Sequence, residues 1–265
     1  MIEPVVAIVL SYLETRELVL LCRSDKNFRV ITNKYIKEFQ LEDSFIRITD
    51  DDINNFKGIG TINLRGCHEI TDGALECLKG VHTIDLTYCP QITERGLKYL
   101  KGIHTIKLGN WCDPATLTDQ CLEYFQGVHT IYLYNCCQIT DNGLKYLKGV
   151  HTIYLNNCHQ ITDDGLKYLK GVHTIDLSKC ERITDRGVEN LKGVKRIDLS
   201  CCWQITDIGL GYLKGVERIN LSYCNRITDC GLEHLRGVET INLSHCGQMF
   251  NRGLTYLEGA TIIMM

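Results

Sequence analysis

A repeat of 22 residues occupies most of this 265-residue chain and limits it to a small set of architectures. Its pattern is G-V-x-x-I-x-L-x-x-C-x-x-I-T-D-x-G-L-x-x-L-K, which runs through residues 149–170 and, with Val188 in place of the Leu after T-D-x-G, through residues 171–192. Self-similarity with a period of roughly 20 to 50 residues is typical of solenoids and propellers. Because a four-stranded propeller blade does not fit into 22 residues, the pattern favours a solenoid.

The 15 cysteines follow this repeat and lack the irregular spacing of a small disulfide-rich secreted protein. Nine of them recur at intervals of 22, 23, 24 and then 22 residues: Cys67, Cys89, Cys112, Cys136, Cys158, Cys180, Cys202, Cys224 and Cys246. We expect one inward-facing column of thiols, with the strand spacing of about 4.8 Å between members. Such a row does not converge on a metal ion, so we expect no metal site, no disulfides and a reducing compartment.

Each repeat combines one short strand with one short helix. In the copy centred on Ile153, this residue and Leu155 alternate with polar positions, which predicts a strand with one buried face. Thr162 and Asp163 are good helix N-cap residues, and Gly171 stands where the helix should end. Stacked units of this kind predict an α/β solenoid with a curved parallel sheet inside and short helices outside.

The segment L-x-x-C-x-x-I-T-D-x-G-L-x-x-L resembles the cysteine-containing class of leucine-rich repeats. The match recurs across residues 41–265 and implies nine full repeats with a partial repeat at each end. The strand centres would be Ile62, Ile84, Ile106, Ile131, Ile153, Ile175, Ile197, Ile219 and Ile241. The repeat is shorter than is usual in that family, so we expect short helices and a clear curvature.

Residues 1–40 do not fit the repeat and predict a compact unit of three helices. The apolar segment 5–13 has helical length, and Thr15 and Ser24 are placed to cap a second and a third helix. The simplest interpretation is a cap that covers the exposed apolar end of the solenoid, which every repeat array needs.

The same unit also resembles an F-box, on the residues Val5-Val6, Val9-Leu10-Ser11-Tyr12-Leu13, Glu17-Leu18 and Lys26-Asn27-Phe28-Arg29. It departs from the F-box pattern in lacking the opening Leu-Pro and in having Phe28 in place of the usual Trp. The resemblance implies docking onto a Skp-type adaptor, and through it a cullin ubiquitin ligase, by Val5, Val9, Leu10, Leu13, Leu18 and Leu21. The near-identical repeats also resemble those of F-box proteins encoded by giant DNA viruses.

Differences between the copies indicate where a partner would bind. Positions that are identical in every copy are needed for stacking, whereas positions that differ are free for recognition. The concave positions differ most, and they are aromatic in the middle of the array, beside an enlarged period of 25 residues between Ile106 and Ile131. Since aromatic residues dominate interface centres, we predict a substrate-binding patch. Its members are Tyr88, Trp111, Tyr132, Tyr134, Tyr154 and Asn156, and drift after duplication is the alternative.

Histidines form a second column, two residues before the strand centres, as His82, His104, His129, His151 and His173. An exposed row of imidazoles could bind a metal or respond to pH. Because the column continues as Lys195, Glu217 and Glu239, a solvated polar position is the favoured interpretation. Lysines late in the short helices complement the helix dipole and do not by themselves indicate a nucleic-acid site.

Composition and motifs exclude several classes of function. The net charge of −3 gives no general field for nucleic acid or a membrane surface, and neither partner is expected. No nucleophile elbow, phosphate-binding loop or metalloprotease motif is present, so we expect no enzymatic activity and no cofactor. The sequence predicts the substrate-recognition subunit of a Skp/cullin/F-box ubiquitin ligase in the cytoplasm or nucleus. The alternative is a protein-binding or inhibitory scaffold whose N-terminal helices are only a cap.

Overall fold

A single parallel sheet runs the length of the molecule. The computed structural model describes residues 8, 10, 12–40, 47–109, 117–247 and 251–264. The described part contains one sheet of eleven parallel strands whose spatial order follows the sequence order. Short helices connect the strands, so the predicted α/β solenoid is confirmed.

Every strand has three residues, and each pairs in register with the next. The strands are β1 (Glu38–Gln40), β2 (Thr61–Asn63), β3 (Thr83–Asp85), β4 (Thr105–Lys107), β5 (Thr130–Tyr132), β6 (Thr152–Tyr154), β7 (Thr174–Asp176), β8 (Arg196–Asp198), β9 (Arg218–Asn220), β10 (Thr240–Asn242) and β11 (Thr261–Ile263). The sheet therefore begins at Glu38, inside the segment that the sequence assigned to the helical unit. Phe39 holds β1 in place, because its ring is buried and lies 4.4 Å from the ring centroid of Phe56.

The convex side consists of single helical turns, as the short repeat predicted. The α-helical segments beside the sheet are Asp50–Ile53, Asp72–Cys77, Glu94–Leu97, Asp141–Leu144, Asp163–Leu166, Asp185–Val188, Asp207–Tyr212, Asp229–Leu232 and Asn251–Leu254. The 3-10 turns are Asn54–Phe56, Lys98–Leu100, Asp119–Phe125, Lys145–Leu147, Lys167–Leu169, Glu189–Leu191, Glu233–Leu235 and Thr255–Leu257. Among the described residues, no helix has both the length and the apolar composition that a bilayer crossing requires.

The Thr-Asp pair of each repeat has a different role from the one predicted. Thr162 alone caps its helix, accepting a hydrogen bond from the backbone N–H of Asp164 at 3.2 Å. Asp163 instead reaches the next repeat, where its carboxylate accepts from the backbone N–H of Thr184 at 2.8 Å and from its hydroxyl at 2.6 Å. The same bond links Asp50–Thr71, Asp72–Thr93, Asp119–Thr140, Asp141–Thr162, Asp185–Thr206 and Asp207–Thr228. The aspartates therefore join successive repeats.

The described cysteines of the column are buried except for the half-buried Cys246. Their thiols donate hydrogen bonds at Cys89, Cys136, Cys158, Cys180, Cys202, Cys224 and Cys246. The Cys158 Sγ atom donates to the backbone carbonyl of Leu133 in the preceding repeat at 3.0 Å. That carbonyl also accepts from the backbone N–H of Cys136. Burial raises the pKa of Cys180 to about 12, so the thiol keeps its proton. The column thus joins neighbouring repeats as well as filling the core, although Cys112 lies outside the described residues.

Two helices that lie wholly within the described residues precede the sheet: α1 (Thr15–Ser24) and α2 (Lys26–Tyr35). The predicted cap residues are each displaced by one position. Glu14 begins α1 through a reciprocal capping box with Glu17, and the Asp25 carboxylate caps α2 by accepting from the Asn27 N–H at 2.8 Å. Most of the predicted first helix, residues 5–13, lies outside the described residues.

The helical unit is joined firmly to the first repeat. Val19 is buried within the core of the solenoid, and Arg23 makes two hydrogen bonds to the Asp52 carboxylate at 2.8 and 2.7 Å. Burial raises the pKa of Asp52, but hydrogen bonds from Arg23 and Thr49 outweigh it, so the pKa lies below its usual value. The bidentate ion pair between Arg23 and Asp52, which is partly shielded from water, therefore links the helical unit directly to the first repeat.

Candidate protein-binding surfaces

The last residue of each strand forms a row along the concave face. The strand register places Asp85, Lys107, Tyr132, Tyr154 and Asp176 side by side on β3 to β7. The Lys107 ammonium lies 3.3 Å from the Asp85 carboxylate and 5.3 Å from the ring centroid of Tyr132. The rings of Tyr132 and Tyr154 stack at 4.2 Å, with 4° between their planes. Lys107, Tyr132 and Tyr154 thus form a continuous strip, which we call the concave strip.

The concave strip is half-buried and carries groups suited to hydrogen bonding. Burial raises the pKa of Tyr154, and the neighbouring Tyr132 and Asp176 raise it further. The hydroxyl of Tyr154 therefore stays protonated over the physiological range and can donate or accept. Flat rings beside a cation give a surface that combines apolar contact with polar selectivity, as in the centres of protein interfaces.

Outside the concave strip, polar residues of the same row form hydrogen bonds within their own repeat. Asp176 Oδ1 accepts from the Ser178 backbone N–H at 2.9 Å and from the Ser178 hydroxyl at 2.7 Å. In six residues of this row, the side-chain oxygen accepts a hydrogen bond from the backbone N–H two residues later. These residues are Asn63, Asp85, Asp176, Asp198, Asn220 and Asn242. Lys107, Tyr132 and Tyr154 carry no carboxylate or amide oxygen to make it. In three consecutive repeats the local stabilising residue has been replaced by one that faces outward.

Tyr134 belongs to the adjacent row and packs within the fold. Its hydroxyl lies 3.0 Å from the hydroxyl of Thr87, two repeats earlier. Its ring occupies the space beside Gly109, where even a Cβ atom would collide with the ring. Tyr134 therefore covers the backbone of Gly109 and the buried Thr87, which differs from the free binding side chain that the sequence predicted.

The other predicted members of the patch have diverse positions. Tyr88 is 48% exposed, has a φ of +59°, and lies with its ring 5.8 Å from the Arg65 guanidinium. Asn156 is half-buried beside the strip. Trp111 lies outside the described residues, as does the enlarged loop that contains it. Lys107 was not predicted as a member of the patch, although its place one residue after the strand centre Ile106 indicated a position on the concave face.

The N-terminal helices present a second apolar surface, but with different residues from those predicted. Leu10 and Leu18 are 2% and 5% exposed, and Leu13 and Leu21 pack against them. These side chains form the interior of the unit, so they cannot contact an adaptor unless the unit opens. The exposed apolar side chains are Ile8, Tyr12, Leu20 and Val30, with exposures of 60%, 84%, 47% and 68%. Val5 and Val9 lie outside the described residues.

Comparisons with known sequences identify the repeat. The family model described as Leucine Rich repeat matches residues 172–192, which is one copy. No curated protein matches the sequence.

Several solved structures share the fold at low sequence identity. The chain is similar to TLR13 in its ssRNA13 complex, with a TM-score of 0.62, 13% identity, and coverage of 86% of this chain and 34% of that one. An internalin, inlF of Listeria monocytogenes, gives a TM-score of 0.61 and 18% identity over 83% of this chain and 66% of that one.

The structure of Rad7 with Elc1 from yeast is similar with a TM-score of 0.54 and 15% identity, over 99% of this chain and 79% of that one. The chain thus spans about a third of the TLR13 chain and most of the Rad7–Elc1 chain that it matches. The repeat match at residues 172–192, the eleven-stranded parallel sheet and these shared folds show that the chain has the fold of a leucine-rich repeat solenoid.

Proposed function

We propose that this protein is the substrate-recognition subunit of a Skp/cullin/F-box type ubiquitin ligase in the cytoplasm or nucleus. The solenoid holds a target protein on its concave face, and the N-terminal helices hold a Skp-type adaptor. Proximity is the whole mechanism: a bound target has a high effective concentration at the ligase, and this chain needs no chemistry and no cofactor of its own.

The concave strip is the observation that carries the target-binding part of the proposal. Lys107, Tyr132 and Tyr154 replace residues that stabilise their own repeat elsewhere in the row. The ring stack and the Lys107–Tyr132 contact join the three side chains, and Lys107 also pairs with Asp85 at 3.3 Å. A cation next to two parallel aromatic rings suits a protein segment that offers an apolar or aromatic side chain beside an acidic one.

The adaptor-binding part is supported by the exposed apolar residues on the N-terminal helices. Tyr12, Leu20 and Val30 are exposed on a unit that already has an interior of its own. Rad7 was solved together with Elc1, and its fold is similar across nearly the full length of this chain. Adaptor contact is therefore assigned to these exposed side chains, while Leu10 and Leu18 keep the unit folded.

A plain protein-binding scaffold is the second candidate, and the contacts of Val19 and Arg23 favour it. Val19 lies in the core of the solenoid and Arg23 binds Asp52 of the first repeat, as expected of a structural cap. In that case the concave strip keeps its role, and no adaptor binds.

Binding of the full chain to a purified Skp-type adaptor separates the two candidates. We expect a stable complex that is lost in Tyr12→Glu and Leu20→Glu and kept in Ile208→Glu, a control at a residue of the solenoid that is 67% exposed. Because all three positions are exposed, each variant should fold. Absence of binding by the unmodified chain would leave only the scaffold, and an equal loss in Ile208→Glu would show nonspecific adhesion.

Target capture tests the concave strip independently of the adaptor. A Tyr132→Ala, Tyr154→Ala double variant should lose the proteins that the unmodified chain captures from a lysate. The matched control is Asn220→Ala with Asn242→Ala, two changes in the same row on β9 and β10. If both double variants captured the same proteins as the unmodified chain, the concave strip would not be the binding site.

A further inference from the structure

A row of stacked imidazoles lies where the strands begin, on a different edge of the sheet from the concave strip. The row consists of His82, His104, His129, His151 and His173. Adjacent ring centroids lie 4.3–4.5 Å apart, with 11–16° between the planes. Each Nδ1 atom lies 3.1–3.2 Å from the hydroxyl of the following threonine. The Nε2 side of each ring is therefore free to face a ligand, and the parallel planes keep these atoms from converging on one metal ion.

Lysines accompany the histidines at a distance of three residues along the chain. Lys101, Lys148 and Lys170 precede His104, His151 and His173, and all three lysines are exposed. The turns 101–104, 126–129, 148–151 and 170–173 contain no acidic residue. We call the five histidines together with Lys101, Lys148 and Lys170 the histidine–lysine strip.

The lysines of this strip keep their charge unneutralised. Lys101 and Lys148 lie 5.1 and 5.4 Å from the ring centroids of Tyr124 and Tyr168. A cation–π contact orients an ammonium group but does not cancel its charge. Within the described part of the chain, no carboxylate lies within ion-pair distance of Lys101, Lys148 or Lys170.

Equivalent positions further along the solenoid are electrically balanced. Where the histidine row ends, Lys195 pairs with Glu217 at 3.3 Å, and Arg218 lies 3.9 Å from Glu239. In the helical turns, Lys192 pairs with Glu189 and Arg236 with Glu233. The three unpaired lysines of the strip therefore give it a local positive charge in a chain whose net charge is −3.

We propose that the histidine–lysine strip binds an acidic polypeptide segment, and that it binds this segment more tightly as the pH falls below neutrality. The carboxylates of such a segment are bound by N–H donors and positive charge, and the ammonium groups and imidazole edges of the strip supply both. Nucleic acid is less well matched, because bases stack on free aromatic faces. Here each inner imidazole is covered by its neighbours, and the tyrosine rings are covered by lysines.

The pH dependence follows from the surroundings of the rings. Desolvation and the two flanking histidines lower the pKa of His104 and of His151. Each ring also contacts the hydroxyl of the following threonine, and beyond the last histidine the row continues with Lys195, which pairs with Glu217. The pKa of His104 and of His151 therefore lies below the usual value of about 6.5, and a bound carboxylate favours the protonated imidazole. Acidification below about pH 6.5 should then strengthen binding.

Fluorescence anisotropy with a labelled peptide of twelve glutamates, titrated with the full chain at pH 7.5 and pH 5.8, tests the proposal. The peptide carboxylates remain mostly ionised at both values, since the pKa of Glu is about 4.3. We expect the dissociation constant to fall about fivefold or more at pH 5.8, which three or more exposed charge pairs can supply.

Three variants separate the contributions. Changing all five histidines of the row to Gln should abolish the pH effect and leave binding at pH 7.5 nearly unchanged. Lys101→Gln with Lys148→Gln and Lys170→Gln should weaken binding at both pH values. The matched control, Lys192→Gln with Arg236→Gln, changes two equivalent positions that are paired with glutamates and should alter neither. Circular dichroism of each variant checks that it is folded.

Two results would overturn the proposal. One is the absence of peptide binding at pH 5.8 and low salt, or an equal weakening in the control variant. The other is tighter binding of a twelve-nucleotide oligothymidylate than of the peptide at both pH values, which would assign the strip to nucleic acid. Neither result bears on the concave strip or on the adaptor surface.

Discussion

Two parts of the solenoid, β3 to β7 and β8 to β10, share one backbone and one interior but differ in their surfaces. Both have the same column of strand isoleucines, the same thiol donors and the same Asp–Thr bonds between repeats. In the later part, concave residues such as Asp198 bond to their own repeat and edge residues such as Lys195 are paired. In the earlier part the concave row changes to Lys107, Tyr132 and Tyr154 on β4 to β6, and the edge row consists of histidines. The interior is therefore a property of the repeat, whereas binding capacity is a property of particular copies.

The largest expected effect tests whether the interiors are equivalent. Ile153→Ala on β6 and Ile219→Ala on β9 each remove a buried side chain from the same column. Each change should lower the free energy of unfolding by about 2–5 kcal/mol, from lost burial and the cavity left behind. Urea denaturation measures both, and the two losses should agree within the error of the method. A clearly smaller loss at one site would show that the two interiors differ.

The bonds between repeats give the next largest effect. Asp141→Ala and Asp207→Ala each leave the backbone N–H and hydroxyl of a threonine in the next repeat without their acceptor. Each change should cost about 1–3 kcal/mol, the range for removing one partner of a partly buried charged hydrogen bond. Equal costs, measured by denaturation of each variant, would support a common scaffold. A cost near zero at both sites would contradict the linking role given to these aspartates.

The concave row should show opposite behaviour in the two parts. Asp198→Ala removes three acceptor bonds, from the Ser200 N–H, the Ser200 hydroxyl and the Asn220 amide. It should lower the free energy of unfolding by about 1–2 kcal/mol while leaving target binding intact. Tyr154→Ala should cost about 1 kcal/mol or less in stability, because the side chain is only half-buried, and should abolish binding. If Tyr154→Ala were the more destabilising change, the tyrosine stack would be structural.

The smallest effect concerns the histidine row and pH. The pKa values of His104 and His151 are lowered by desolvation and by the neighbouring histidines, so the unfolded chain binds more protons than the folded chain below about pH 6.5. Stability should therefore fall as the pH decreases through this value. The loss should be small, because the rings are exposed and screened by water. Thermal unfolding from pH 7.5 to 5.5 should show a smaller decrease for His104→Gln with His151→Gln than for the unmodified chain.

Much of the fold was predictable because repetition reveals which positions are interior. The spacing of Ile153, Leu155 and Cys158 predicted a strand and its buried face, and the structure places all three inside. Periodicity cannot show whether a side chain bonds within its own repeat or with the next one. For this reason Asp163 was interpreted as a helix cap although it bonds to Thr184.

Contacts that span two repeats could not be predicted from the sequence either. Tyr134 was predicted as a free aromatic, but it packs where Gly109 leaves space and bonds to Thr87. Only the geometry of three adjacent strands relates these residues. The start of the sheet was placed too late for a similar reason, because Phe39 occupies an interior position without matching the isoleucine of the repeat.

The central claim is that targets bind to the concave strip and not to the same row farther along the sheet. Photocrosslinking with benzoylphenylalanine, placed singly at residues 132, 154, 220 and 242 of the full chain, tests it most directly. The same target protein should crosslink at residues 132 and 154, where the probe replaces an aromatic ring, and not at residues 220 and 242. Equal crosslinking at all four positions, or crosslinking at 220 and 242 alone, would contradict it.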